Sequence, residues 1–289
     1  MNWVIATFYK FVPLSEPGAL RAELLERCLG WELRGTILLA SEGLNATVAG
    51  SRRGIDQLLE WLHQHPEIGA FTHQESTTTH APFERMKVKL KPEIVTLGRP
   101  EINPAQQEVG TYIDPHDWNR VVTDSDVVLI DARNDFEVDL GTFKGAKNPQ
   151  THAFRELPDY VATHLDPAQH KKVAMFCTGG IRCEKATAYL RSQGFEQVYH
   201  LRGGILNYLK TVPEADSLWQ GDCFVFDDRV AVDHQLNPTD HELCLGCGHP
   251  VSPVEQAAPE YEAGISCPHC YAELTPEKRS RLEARQRHR

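Results

Sequence analysis

The chain contains no apolar run approaching the roughly 20 residues that a bilayer-spanning helix needs, so no membrane span is expected in its 289 residues. No secretory leader is expected either. The opening stretch "MNWVIATFYKF" has neither a basic region nor a small-residue cleavage site, and Lys10 interrupts its apolar character. It is expected to be a first strand, in a cytoplasmic protein. No G-x-G-x-x-G follows a strand-like stretch, so neither a nicotinamide nor a flavin site is signalled. Excess positive charge is also lacking. A formal net charge of -10 argues against indiscriminate nucleic-acid binding, although a local basic face remains open. There is no internal repeat and no low-complexity tract.

Eight cysteines are present, and their placement is uneven: Cys244, Cys247, Cys267 and Cys270 cluster near the end, while Cys177 and Cys183 flank one loop. That pattern suits metal binding and catalysis in a reducing compartment better than a disulfide scaffold. The length allows two or three domains. Residues 3–11 alternate as a strand, and 15–29 run apolar at helical spacing through Leu20, Leu24, Leu25 and Cys28. "RGTILLA" and "LNATVAG" follow as strands, Ser51 caps a helix carrying Leu58, Leu59 and Leu62, and "MKVKLK" is the last clear strand. This βαββαβ order predicts a ferredoxin-like α+β domain over residues 1–95, with both helices on one sheet face and the other face free for a partner.

Residues 96–115 carry Pro and Gly without a sustained period and are expected to be a linker. Beyond it, "DVVLID", "VAMF" and "QVYHL" alternate with helical stretches, which predicts a parallel-sheet α/β domain over 116–215. The segment 216–289 is short of large apolar residues and would need a staple.

Cys177 follows the carboxyl end of "VAMF", where α/β sheets bind ligands. In "CTGGIRC", Gly179 and Gly180 allow successive amides to turn inward, and a helix start and Arg182 add positive charge at the same spot. The Cys177 thiol is therefore expected to ionise near neutral pH.

These residues carry a resemblance. "LIDARNDFEVDLGTFKGA" is similar to the D-x-R-x-x-x-E-x-x-x-G-x-x-x-G-A signature of rhodanese domains, with Asp131 and Arg133 as its supporting pair. "CTGGIR" resembles the rhodanese active-site loop, and "VYHLRGGILNYL" the closing strand and helix. The resemblance implies a persulfide on Cys177, cradled by the amides of Thr178, Gly179, Gly180, Ile181 and Arg182. Thr142 and Phe143 replace the His-Ile of many rhodaneses, which is expected to alter the rim and not the cradle. A related phosphatase class has a C-x5-R loop. The C-x4-R spacing from Cys177 to Arg182 makes a tighter ring, better sized for sulfur than for phosphate. Cys183 reads either as a resolving thiol or as a packing residue at the helix start.

Across the whole chain, a ferredoxin-like domain with "LLASEGLNATVAG", the rhodanese motifs, "FDDRVAV" and a cysteine-rich tail resemble the TrhO (YceA) family. That resemblance implies an oxygen-dependent tRNA hydroxylase that converts the wobble uridine at position 34 to 5-hydroxyuridine, with the essential cysteine at Cys177. Molecular oxygen is then a co-substrate, and the electron donor and oligomeric state stay open. A rhodanese-type sulfurtransferase is the alternative activity, and a non-catalytic RNA-binding module a third reading.

His164 and Asp166 in "THLDPAQH" form the HxD half of an iron site, yet they also suit a turn after a helix and no third ligand stands out. For RNA, Arg85, Lys87, Lys89 and Lys91 alternate with Met86, Val88 and Leu90, so one strand face is cationic and the other apolar. The tail adds Lys278, Arg279, Arg281, Arg285, Arg287 and Arg289. The two CxxC pairs, Cys244/Cys247 and Cys267/Cys270, have the spacing of a closed four-thiolate zinc site, structural and zinc-ribbon-like; His249 and His269 lie close enough in sequence to compete.

Overall fold

A computed structural model describes residues 2–286. Alternation along β1 (Trp3–Phe11) sends Val4, Ala6 and Phe8 to one face, where they meet Leu20, Leu24 and Cys28 of α1 (Pro17–Gly30). Strands β2 (Arg34–Ala40) and β3 (Gly43–Gly50) follow. Helix α2 (Arg52–Gln64) starts as expected: the Ser51 hydroxyl accepts from the Gly54 amide at 3.1 Å, and Ile55, Leu58 and Leu62 point into the same core. Each fully buried Leu or Ile there contributes about 1.5–3 kcal/mol.

The first sheet has the order β4-β1-β3-β2-β5. The strand that closes the βαββαβ unit is β4 (His73–Thr78), antiparallel to β1, which corrects the role expected for "MKVKLK". β5 (Met86–Leu90) is instead a fifth strand, added parallel to β2 at the opposite edge. "HQESTT" was illegible as a strand because an edge strand with an all-polar sequence shows no apolar alternation; its ladder to β1 forms it. Met86 and Val88 are buried as the alternation implies, but Leu90 is 48% exposed.

The second sheet has the order β6-β10-β9-β7 and all its pairings are parallel. The domain around it runs through β6 (Thr111–Ile113), α3 (Pro115–Val122), β7 (Val127–Asp131), α4 (Asp135–Val138), β8 (Gly141–Phe143), α5 (Leu157–His164), β9 (Lys172–Phe176), α6 (Ile181–Ser192), β10 (Gln197–Leu201) and α7 (Gly204–Thr211). The edge strand β6 lies inside the stretch read as linker. Val173 and Met175 of β9 face a core shared with α5 and α6, whereas Ala174 and Phe176 face one shared with α3 and α7. Phe143 sits at the centre of the second core, 4.8 Å from Phe176 and 4.7 Å from Tyr208 between ring centroids. Thr142 donates to Asp131 at 2.8 Å. The two residues expected to alter the rim are therefore interior packing and support.

The C-terminal segment docks through β11 (Trp219–Gly221) onto β8, then forms the ribbons β12 (Cys223–Phe224) with β13 (Ala231–Val232) and β14 (Glu242–Leu243) with β15 (Pro250–Val251). It continues through α8 (Pro253–Gln256) to α9 (Pro276–Gln286). Arg279 of α9 pairs with Glu262 at 2.7 Å and Leu282 is buried, so this stretch packs on the cysteine-rich module. Arg287 and Arg289 lie outside the described residues. No helix of the described chain is long and apolar enough to cross a membrane.

Candidate active site

The loop that bears Cys177 is shaped by three local devices. β9 ends at Phe176, so Cys177 emerges at the carboxyl end of a central strand. Gly180 adopts φ 99° as the N-cap of α6, a left-handed conformation that favours glycine, and its amide turns back to 3.2 Å from the Cys177 sulfur. The third device was missed in the sequence. The start of α7 clamps the loop, with the Ile205 amide donating to the Cys177 carbonyl and the Leu206 amide to the Thr178 carbonyl, at 3.0 and 3.1 Å. A Cβ on Gly204 would stand 2.4 Å from the Cys177 carbonyl oxygen, so this approach requires glycine. The signal was the double glycine in "LRGGIL".

Cys177 is 1% exposed and would by burial alone ionise with more difficulty. The Cys183 thiol, the Arg182 charge and the Cys183 and Gly180 amides outweigh that burial and bring its pKa down to about 6. Burial, and then the hydrogen bond to the Cys177 sulfur, push Cys183 well up. Cys183 is thus the proton-holding partner of the pair.

Arg182 does not reach freely into the site. Its guanidinium grips Glu137 with two bonds, one of 2.7 Å to Oε2, and touches the Thr178 hydroxyl at 3.3 Å. Glu137, fully buried, is the residue the sequence reading left unassigned although it is the Glu of the quoted signature. Burial alone would raise its pKa, but Arg182 and Arg133 hold it below the usual carboxylate range. Asp131 and Arg133 form a second buried fork, 2.9 Å from Nε to Oδ1, and Arg133 also donates to the Glu137 carbonyl at 3.1 Å. These two pairs tie β7, α4 and the loop into one frame.

The first sheet completes the site. The face expected to be free is the wall of a cleft of about 1090 Å³ whose opposite wall carries Cys177, Thr178, Gly179 and Arg182. Tyr9 crosses it from β1, donating to Glu184 of α6 at 3.0 Å, and Tyr112 donates to the same carboxylate oxygen at 2.6 Å. Beneath them Lys185, fully buried, pairs with both Glu42 and Glu93. Glu42 comes from the "SEG" turn of the first domain, so the contact fastens the two domains directly behind the loop. A third wall comes from the C-terminal segment, at Phe226 and Arg229.

Lys91 lines this cleft. Lys87 and Lys89 pair in register with Thr36 and Leu38 of β2, two cleft-lining residues, and so share their face. Arg85 precedes β5 and is exposed. The iron half-site does not assemble. The His164 ring contacts the Tyr160 carbonyl at 3.1 Å, and Asp166 accepts from the Ala168 amide and the Gln169 side chain, as a turn residue does. Among the described residues, the group of metal-capable side chains that converges is Cys244, Cys247, Cys267 and Cys270, with all four sulfurs within 4.8 Å of one another. His249 and His269 stack on each other at 4.3 Å outside that group.

Two family models match the chain: a UPF0176 acylphosphatase-like domain over residues 3–94 and a rhodanese-like domain over 114–211. A Picosynechococcus protein named tRNA uridine(34) hydroxylase is 54% identical over 98% of this chain and 95% of its own length. A Teredinibacter turnerae protein of the same name is 53% identical over 99% of this chain and 89% of its own. The chain belongs to the tRNA uridine(34) hydroxylase family. Among solved structures, the rhodanese-like domain of an Anabaena protein covers 38% of this chain and 78% of that one, at 20% identity and a TM-score of 0.32. A Coxiella burnetii acylphosphatase covers 30% of this chain and 93% of that one, at 17% identity and a TM-score of 0.25. The identity to the two named hydroxylases spans both sheets and the tail of this chain.

Proposed function

We propose that this protein hydroxylates carbon 5 of the wobble uridine, position 34 of tRNA, with Cys177 as the reacting group. Near-full-length identity to two proteins named for that reaction supports the activity. The observation that carries the residue assignment is a thiol with a pKa of about 6 on the wall of an interdomain cleft large enough for a nucleotide. Replacing the carbon 5 hydrogen by hydroxyl with molecular oxygen uses one oxygen atom. The other leaves as water, with two electrons and two protons from a reductant.

Carbon 5 of uracil is a poor partner for oxygen while the ring stays conjugated. A thiolate adding at carbon 6 breaks that conjugation and leaves an enolate with electron density at carbon 5; once carbon 5 carries the hydroxyl, loss of its hydrogen as a proton expels the thiolate and restores the 5,6 double bond. The Gly180 and Cys183 amides address the sulfur of Cys177 itself, which supports a role for the thiolate as such. Arg182 and Glu137 are positioning residues in this reading, since the guanidinium is committed to the carboxylate. A cysteine persulfide, which the sulfur-sized loop favours, is the competing chemical route. With 5-fluorouridine at position 34, direct addition traps a covalent tRNA adduct on Cys177; the persulfide route gives an extra sulfur on Cys177 and no adduct.

The four cysteines of the C-terminal module suit zinc. At a Zn–S bond of about 2.3 Å a tetrahedron places its sulfurs about 3.8 Å apart, and the Cys247–Cys267 and Cys244–Cys270 sulfurs are 3.7 and 3.9 Å apart. Four protein ligands close the sphere, so the ion would staple the module and take no part in the reaction. Nucleoside analysis of tRNA from cells lacking the protein tests the activity. Loss of 5-hydroxyuridine supports hydroxylation, loss of a thiolated base would replace it with sulfur transfer, and no change would leave a binding module.

A further inference from the structure

The "FDDRVAV" stretch takes no part in the chemistry above, yet it builds one wall of the cleft. Phe224 and Val225 are buried, but Phe226 between them and the turn is 60% exposed, and it lines the same cleft as Cys177. The ring is held in place. Phe224 meets it edge-on at 5.0 Å, and Phe136, next to Glu137, meets Phe224 at 5.2 Å. The Arg182 guanidinium lies over the ring, 5.8 Å from its centroid.

The backbone around Phe226 is fastened on both sides. The Val225 amide donates to the Val230 carbonyl at 2.9 Å, closing the β12–β13 turn, and Arg229 forks onto Asp227 at 2.6 and 2.7 Å. Arg229 also donates to the Ser76 hydroxyl of β4 at 3.0 Å, and the Asp228 amide to the Pro82 carbonyl at 3.3 Å. A loop hydrogen-bonded to the first domain, with Phe224 packed on Phe136 of the second, presents the exposed Phe226 ring beside the Cys177 loop.

We propose that Phe226 is the stacking surface for the pyrimidine base that is brought to Cys177. The inference rests on the RNA substrate proposed above. RNA-binding proteins hold splayed-out bases by stacking them on aromatic rings, because every base has a flat apolar face and an unstacked base loses its neighbours. A scattered surface phenylalanine needs no such partner. This one meets the Phe224 ring, lies under the Arg182 guanidinium and lines the cleft that holds Cys177. Its removal costs the target base its orientation and costs the bound tRNA little, since phosphate contacts supply most of the affinity.

The test uses the full-length protein, a tRNA anticodon stem-loop with the fluorescent pyrimidine pyrrolocytosine at position 34, and unmodified tRNA for turnover. The wild type should quench the position-34 probe at saturation, Phe226→Ala should not, and Phe226→Tyr should restore the quench. With unmodified tRNA, Phe226→Ala should slow hydroxylation at saturating substrate by about 5- to 150-fold, the range that loss of one stacked base corresponds to, while Phe226→Tyr stays near wild type. Equal quenching by wild type and Phe226→Ala, or no quenching by the wild type, overturns the proposal. If the wild type quenches in a Phe226-dependent way but forms no 5-hydroxyuridine, the base site stands and the hydroxylase reading falls.

Discussion

The Lys185 ammonium lies 2.9 Å from the Glu42 carboxylate, joining residues 143 positions apart in sequence and the first two domains of the molecule. Both side chains are buried, and Glu93 meets the same ammonium. Removing one partner of a buried ion pair leaves uncompensated charge in low dielectric and typically costs about 3–5 kcal/mol. Lys185→Met should lower the unfolding free energy read from urea titration by that amount, shift the midpoint to lower urea, and separate unfolding of the first domain from the second. A single transition at the wild-type midpoint would show that the triad is not a fastener.

Activity should rise with pH and reach half its maximum near pH 6, because the proposed reacting species is the Cys177 thiolate and burial is outweighed by the groups that favour it. Cys177→Ser should abolish hydroxylation while leaving fold and tRNA affinity close to wild type. Cys183→Ala should be milder and should move the inflection upward, since the Cys183 thiol is the first of the groups that pull the Cys177 pKa down. An unmoved inflection in the Cys183 variant would assign the low pKa to Arg182 and the loop amides alone.

Zinc content gives a third check. The purified protein should carry about one zinc per chain, and Cys244→Ser or Cys267→Ser should lose it together with the protease resistance of the C-terminal module, because metal binding there is part of its folding free energy. Helix α9 packs on this module through Arg279 and Leu282, so it should loosen in the same variants. A metal-free protein with an intact module and free thiols would contradict the assignment.

What could be read from the chain follows the range of the interactions. The Cys177 loop was legible as a candidate site because its signals are local: Cys177, Gly180 and Arg182 lie within six residues, and strand, turn and helix each carry their own pattern. The four cysteines were legible for the same reason. β4 was not, because its polar sequence is held by a ladder to β1. The Glu42–Lys185–Glu93 triad, Tyr9 over Glu184 and Phe226 beside Arg182 join residues 44 or more positions apart, and no periodicity reports such contacts. The cleft is made of those long-range pairings, which is why the first sheet's outer face was expected to be free.

The basic strand face yields the last prediction. Lys87 and Lys89 share the face of Thr36 and Leu38, and Lys91 lines the cleft, so the three cations run from the edge of the first sheet toward the site of Cys177. A phosphate backbone entering the cleft with a base directed at Cys177 would pass along that edge, and each lysine that meets a phosphate releases a counterion. Changing all three to Gln should weaken tRNA binding and flatten the slope of log affinity against log salt by about 2, since single-stranded contacts contribute about 0.7 each. Turnover at saturating tRNA should change little, because none of the three belongs to the Cys177 frame. The alternative phosphate contacts are Lys278, Arg281 and Arg285 of α9, whose neighbour Arg279 is already committed to Glu262. An unchanged salt slope in the strand variant, with a reduced slope when the α9 cations are replaced, would move the RNA track from the first sheet to the tail.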